Sequence, residues 1–500
     1  MRCITQPPKA GSLVEAMRAI GYSLETSLAD LIDNSIAAGA SFVDIAFKDR
    51  RLGNPYVAIV DDGHGMDEAA LIEAMRHGSS DPLSERSPTD LGRFGLGMKT
   101  ASQAQCRVLT VISRRQGELQ PVAARWDIDL IRTQDSWELQ VLSSSDLREP
   151  ANGIPPELLE QLDRMTSGTI VLWQELDRLA EPLANDGAAL AERIGDCRDY
   201  LGLVFHRFID GPAQRVSVRM NSAEIPCHDP FLIRGAPPWS IGSDEISVAM
   251  DSGQCVKISY EAYVLPGLDR LTPAQIQSLT ASGGLRKGQG FYVYRAHRLL
   301  VWGTWFRMVK QHELSKLARI KIDVPNSLDK LWALDIRKST AFPPAQIRDA
   351  LGQAITRVQA HATKATRKPG VNRRQDAAAV WRHLQVDAAT FRFEVNADHP
   401  VIATAKNRLG EDAAACIEDL LEMIAESLPY NEIYVQMVGD LRPPPTSEIS
   451  EELVRLANDT VNQLTKTGFT REQAVQLILR TEPFSSHEAF PTMIEQGLRP

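Results

Sequence analysis

The 500-residue chain has no apolar run approaching the roughly 20 residues that a membrane-spanning helix needs. Its opening, Met1 to Ala10, contains prolines and lacks the apolar centre of a signal peptide, so a cytoplasmic location and no membrane partner are expected. Six cysteines (Cys3, Cys106, Cys197, Cys227, Cys255 and Cys416) are scattered without a CxxC pair or a metal-like spacing. That excludes a disulfide framework or zinc module and fits reduced thiols. Basic residues are not in excess: 55 Lys and Arg face 64 Asp and Glu, a net charge of −9. The balance excludes a protein coated in nucleic acid but leaves local patches open. Neither an internal repeat nor a low-complexity segment is present. With 43% hydrophobic and 24% charged residues, the composition is neither disordered nor fibrous, and the length exceeds what one compact core holds.

Apolar spacing predicts two helices in residues 11–40, the second following Ser27 with Leu28, Leu31, Ile32 and Ser35. Strands are predicted at 41–47 and 56–62, a helix at 67–78, a long polar loop at 79–92 and a helix at 95–105. Residues 107–175 read as mostly strand, and 186–206 as helix. A second mixed region, 214–345, holds strands at 215–221, 255–265, 290–301 and 319–325. A helix is predicted at 345–366, and the remainder reads as helical around a proline break at Arg442-Pro443-Pro444-Pro445.

Four features that carry chemistry follow in one order. In Asp30-Leu31-Ile32-Asp33-Asn34, a helix puts Asp30 and Asn34 on one face. A carboxylate able to orient water, one turn from an amide oxygen able to bind Mg²⁺, makes a hydrolytic pair; a solvated polar face would use the same residues. In Val60-Asp61-Asp62-Gly63-His64-Gly65-Met66, a carboxylate ends a buried strand, where it needs a partner such as an adenine amino group. The glycines would let backbone approach a flat base, though an ordinary turn gives the same string, and His64 reads as a loop residue. In Gly92-Arg93-Phe94-Gly95-Leu96-Gly97-Met98-Lys99-Thr100, glycines open a helix whose amides could hold an anion. A dinucleotide fold would need a strand immediately before them, and a long loop stands there instead. Last, Ser167-Gly168-Thr169-Ile170-Val171 places a hydroxyl that could share a water with Asp61.

The four together resemble the ATP-binding (Bergerat) fold of the GHKL ATPases, over roughly residues 12–175. The resemblance implies that Asn34 holds Mg²⁺ and that Asp61 takes the adenine amino group, with Thr169 assisting through water. Gly63, Gly65 and Met66 would wall the base. Gly92, Gly95, Leu96, Gly97, Met98 and Lys99 would cradle the phosphates, under a lid formed by 79–97. The family's general base is glutamate, and here the position is Asp30, one methylene shorter, so hydrolysis that is slow or absent is implied; Asp33 is the second choice. Farther on, Gly290-Phe291-Tyr292-Val293-Tyr294-Arg295-Ala296-His297-Arg298-Leu299, with the stretches 318–325 and 334–339, looks like MORC proteins and their prokaryotic relatives. That likeness implies an α+β chain: a GHKL ATPase domain with mixed sheet and helices (1–185), a ribosomal-protein-type β/α transducer (186–355) and a helical C-terminal domain (356–500). The transducer would send a lysine to the γ-phosphate, Lys338 first, with Arg337 and Lys287 as alternates.

The implied activity is that of an ATP hydrolase working as an ATP-gated homodimeric clamp on double-stranded DNA, in prokaryotes as part of a defence or restriction system with other proteins. A basic stretch containing Arg367, Lys368, Arg373 and Arg374 would meet DNA phosphates; a solvated linker would look the same. A non-hydrolysing ATP-binding scaffold and a chaperone-type ATPase acting on protein clients are the rivals. A mismatch-repair endonuclease lacks its metal cluster between 370 and 500, and a histidine kinase would need a phospho-acceptor helix ahead of the ATP domain.

Overall fold

The computed structural model describes the chain except residues 1–2, 5, 7, 20, 50–53, 79–96, 180–186, 212, 214, 250–254, 268–269, 329–331, 333–342, 367–377, 386–390, 434–450 and 487–500. It divides into two compact units, residues 1–366 and 367–500. The class is α+β, as expected.

The first unit holds two mixed sheets. Strands β1 (Phe42–Lys48), β2 (Tyr56–Asp61), β3 (Val108–Arg114), β4 (Val122–Asp127), β5 (Gln140–Leu142), β6 (Gly168–Gln174), β7 (Ser217–Met220) and β8 (Ala223–Glu224) form one sheet in the order β5-β4-β3-β6-β2-β1-β7-β8. All its pairings are antiparallel except β1 with β7. Two-residue alternation divides β2 between two cores. Val57 and Ile59 face the larger core with the helices, and Tyr56, Ala58 and Val60 face a smaller one completed by Leu158 and Leu162. The larger core also takes Leu201, Val204, Val218 and Ile225, so the first sheet and its packing run beyond residue 185.

Helix α1 (Ala10–Arg18) is tied down by Arg18, whose guanidinium donates to the Gln103 carbonyl and to both oxygens of Asp177. Helix α2 (Leu24–Ala37) begins earlier than its apolar spacing predicts, because the Ser23 hydroxyl accepts the Thr26 N–H and so caps it. Helix α3 (Glu68–Met75) is capped by Asp67, and α4 (Gly97–Gln103) follows the glycine-rich stretch. The mostly-strand reading of 107–175 missed two short helices, α5 (Ile128–Gln134) and α6 (Pro156–Asp163). The first starts where the Asp127 carboxylate accepts two backbone N–H groups, and the second where Pro156 opens the first turn.

Helices α7 (Gly187–Val204) and α8 (His206–Asp210) lead to the second sheet. That sheet contains β9 (Trp239–Ala249), β10 (Cys255–Val264), β11 (Gly290–Arg295), β12 (Arg298–Thr304) and β13 (Ala318–Asp323), in the order β12-β11-β13-β10-β9. Helix α9 (Pro273–Thr280), short α10 (Gly284–Lys287) and long α11 (Ala345–Thr366) accompany it, and Ile347, Leu351, Ala354, Ile355, Val358 and Ala362 of α11 enter its core. The expected division at 355/356 falls inside α11. In the C-terminal unit, helices α12 (Pro400–Lys406), α13 (Glu411–Glu426), α14 (Glu451–Lys466) and α15 (Arg471–Leu479) are joined by an antiparallel hairpin of β14 (Trp381–Gln385) and β15 (Phe391–Val395). The helical expectation for this region omitted that hairpin.

His206 pins α8 to the second sheet. Its Nδ1–H donates to the Leu203 carbonyl (2.7 Å), leaving Nε2 to accept the Tyr294 hydroxyl (3.3 Å). Burial pushes its pKa down to about 4. The unfolded chain therefore takes up a proton that the folded chain resists, and stability is lost as pH falls from about 6.5 towards that value. The melting temperature should drop between pH 7 and pH 5, and less so in His206→Gln; equal drops would show that His206 is not the group responsible.

Candidate functional site

Helix α2 is buried along most of its circumference, and Asp30, Asp33 and Ser35 are buried with it. Polar groups in such a place must find partners. Ser35 donates its hydroxyl to Asp61 Oδ2 at the end of β2 (2.8 Å). Asp61 lies on the same face of its strand as Val57 and Ile59, towards the helix, and is 5% exposed. Its Oδ1 accepts the Gly63 N–H at 3.0 Å. Burial raises the Asp61 pKa above the usual carboxylate value, opposed by Ser35 and by the backbone amides of Gly63 and Thr169. The neighbouring Asp62 has a different task. It accepts the Ser41 and Phe42 N–H groups (2.8 Å each) and the Ser41 hydroxyl, fixing the start of β1.

The turn after Asp61 is built for close approach. A Cβ on Gly63 would stand 2.8 Å from the Ala38 side chain, and Gly65, at φ +66°, would put one 2.0 Å from the Arg114 carbonyl oxygen. His64 is exposed and donates its Nδ1–H to Gly65 O, in keeping with a loop residue. The Met66 N–H donates to Ser113 Oγ (2.9 Å); Ser113 in turn donates to Gly168 O (3.1 Å) and lies 2.9 Å from Thr169 Oγ1. Since Ser113 has one hydroxyl proton, the Thr169 hydroxyl must donate to it. Ser113 thus joins β3, β6 and the glycine turn.

On the same helix, Asp30 and Asn34 are one turn apart, and Asn34 is exposed. Mg²⁺ bound with a nucleotide takes few protein ligands and keeps water and phosphate oxygens, so one exposed amide oxygen fits. Among the described residues no group of three His, Cys, Asp or Glu could hold a metal by itself. Asp30 Oδ2 accepts the Tyr22 hydroxyl (3.1 Å), and a Cβ on Gly97 would stand 3.5 Å from the same oxygen. The start of α4 therefore adjoins Asp30. The Asp30 and Asp33 carboxylates also meet Arg298, from β12 of the second sheet.

Lys99 is placed differently from a residue in a phosphate cradle. It is buried, and its amine donates to the carbonyls of Ala74 (2.8 Å) and Arg76 (2.7 Å) at the end of α3. Burial lowers its pKa to about 8. Met66 and Met98 pack on the larger core. Lys287 is exposed at the end of α10. Gly92, Gly95, Leu96, Arg337, Lys338, Arg367, Lys368, Arg373 and Arg374 lie outside the described residues. The structure adds Tyr22, Ser35, Ser113 and Arg298, of which only Ser35 and Arg298 fall within stretches whose pattern drew attention.

Residues 22–169 match the family described as histidine kinase-, DNA gyrase B- and HSP90-like ATPases. No curated protein sequence matches the chain. Two of the solved structures that match the chain cover most of it. One is the ATPase and transducer domains of DNA topoisomerase II from Balamuthia mandrillaris, at 11% identity and TM-score 0.37, over 69% of this chain and 85% of that one. The other is the N-terminal domain of a DNA repair protein, at 14% identity and TM-score 0.41, over 70% and 98%.

Ser35→Ala removes a hydroxyl donor from a buried carboxylate, a change that costs about 1–3 kcal/mol. The urea midpoint should fall with the m-value unchanged; an unchanged midpoint would mean that the Ser35–Asp61 bond contributes nothing net.

Proposed function

We propose that this chain, whose residues 22–169 form a GHKL-type ATP-binding domain, is a Mg²⁺-dependent ATP hydrolase that acts as an ATP-gated dimeric clamp on DNA. The observation that carries the reading is the buried Asp61 carboxylate, held by Ser35 and Gly63 on the same helix–strand junction that presents Asp30 and Asn34. Asp61 accepts the adenine amino group, with Thr169 assisting through water, while Gly63, Gly65 and Met66 wall the base. Asn34 binds Mg²⁺, which when bound neutralises phosphate charge. Backbone amides at Gly92, Gly95, Leu96, Gly97 and Met98 hold the phosphates, and Lys99 braces α4 against α3. Asp30 orients the attacking water and accepts its proton. Lys338 reaches the γ-phosphate from the second region, with Arg337 and Lys287 as alternates.

The clamp reading adds a symmetric dimer, the commonest oligomer. It also adds DNA contact through Arg367, Lys368, Arg373 and Arg374, a cytoplasmic location and, by analogy with MORC-like proteins, a prokaryotic defence role with further proteins. A second reading, an ATP-binding switch without turnover, is favoured by the short Asp30 side chain, one methylene less than the glutamate of the family.

Phosphate release with and without duplex DNA, beside nucleotide-dependent dimerisation, separates the two. Asp61→Asn should lose at least about tenfold in ATP affinity, roughly 1.4 kcal/mol, with its circular dichroism unchanged. Asp30→Asn should bind Mg·ATP as wild type does and hydrolyse it at least about a hundredfold more slowly, whereas Asn34→Ala should weaken Mg²⁺-dependent binding itself. Wild type that binds ATP but releases no phosphate under any condition is a switch.

DNA contact has its own test. Changing Arg367, Lys368, Arg373 and Arg374 to Glu should weaken duplex binding and flatten its salt dependence by about one unit of slope per lost phosphate contact, leaving ATP affinity intact. A slope equal to wild type removes DNA from the proposal.

A further inference from the structure

The β11–β12 hairpin turns through only Ala296 and His297, at φ +45° and +70°, a left-handed pair that usually calls for Asn and Gly. Two residues without that backbone freedom persist there because their surroundings hold them. Ala296 and Trp302 pack against the larger core of the first sheet, Trp302 lies 5.8 Å from the Tyr200 ring, and His297 meets Phe208 edge-on. The hairpin tip of the second sheet is thus seated in the first sheet's core.

Arg298 leaves this tip 2% exposed, its guanidinium 5.7 Å from the centre of the Phe205 ring. Its Nε lies 2.9 Å from Asp33 Oδ2, and its Nη2 lies 3.7 Å from Asp30 Oδ1. Burial disfavours the charge, yet the two carboxylates outweigh it and raise the Arg298 pKa. Asp33 is the closer and anchors the guanidinium. Asp30 then accepts the Tyr22 hydroxyl at Oδ2, while its Oδ1 faces the Arg298 charge at ion-pair distance. Each carboxylate oxygen accepts more than one hydrogen, so one hydrogen bond and one longer charge contact bias the orientation of the side chain and leave room to receive a proton from water. An aspartate in a glutamate's place needs that restraint, because its shorter reach tolerates less error.

We propose that Arg298 is a positioning residue, through which the second sheet holds Asp30 in line for the attacking water and ties hydrolysis to seating of the hairpin tip. The inference rests on the reading of Asp30 as general base. Asp33 has a part in it as the fixed end of the arginine, which accounts for a second buried carboxylate on α2 without giving it contact with the nucleotide.

The experiment is a double-mutant cycle in the full chain, read by single-turnover release of radiolabelled phosphate and by ATP affinity. Arg298→Met and Arg298→Lys are combined with Asp30→Asn. Arg298→Met should slow hydrolysis at least about tenfold, while ATP affinity stays within about threefold of wild type. Arg298→Lys, which keeps the charge but not the two-pronged reach, should recover part of the rate. In the Asp30→Asn background neither change should slow hydrolysis further, because both act through the same carboxylate. Full additivity in that background, or weakened ATP binding at unchanged turnover, would overturn the proposal while leaving the hydrolase reading in place. If wild type binds ATP without turnover, the hydrolase reading itself fails and takes this inference with it. Should Arg298→Met not fold, Arg298→Lys completes the same cycle.

Discussion

Helix α2 has almost no solvent face, and the rest of the site follows from that constraint. A helix buried on most sides has to be apolar or must bring a partner to each polar side chain. This one carries four such residues, and they reach different parts of the fold: Ser27 accepts the Gln105 side-chain amide, Ser35 takes Asp61 of β2, Asp30 takes Tyr22, and Asp33 with Asp30 takes Arg298 of β12. Stripping one member from a buried ion pair leaves an uncompensated charge that typically costs about 3–5 kcal/mol. The helix therefore does not slide or rotate independently of either sheet. Asn34, exposed between these anchored neighbours, inherits their rigidity.

Adjacent carboxylates show how finely backbone direction divides labour. Asp61 is the last residue of β2 and points at the helix, where burial and Ser35 define its state. Asp62 has left the strand and closes onto the backbone of Ser41 and Phe42. One residue of register separates a carboxylate suited to a ligand from one that staples a loop, because side chains on a strand alternate.

What could be read from the order of residues was local. The apolar spacing of residues 28–36, the alternation in 41–47, the apolar run of 56–60 and the glycines before Met66 and Met98 each leave a short-range mark, and the matching elements stand where those marks lie. The cap at Ser23 is as local, but Ser27 offers the same chemistry one turn later, so the sequence leaves two equivalent starts. Distant partnerships leave no such mark. Arg298 lies more than 260 residues from Asp30 and Asp33, in a hairpin whose Ala296-His297 turn lacks the usual turn residues. Lys99 follows the glycines as a phosphate-facing lysine would, but the carbonyls left open at the end of α3 lie within its reach. The spacing of the third motif contains no information about α3's C-terminus, so only the folded chain could reveal that competition.

Strand β7 joins β1 in parallel after more than 150 intervening residues. Ser41 and Ile45 of β1's segment accept the N–H groups of Ser217 and Asn221, while the Asn221 side chain accepts that of Phe47. A fragment ending at residue 185 would contain all four sequence motifs of the first region and yet leave β1 as a bare edge, with Val216, Val218 and Met220 missing from the core behind it. Unsheathed strands of that kind recruit other chains. The smallest self-contained piece around the first sheet therefore extends past Ile225, and shorter pieces should be expected to cluster in solution through β1.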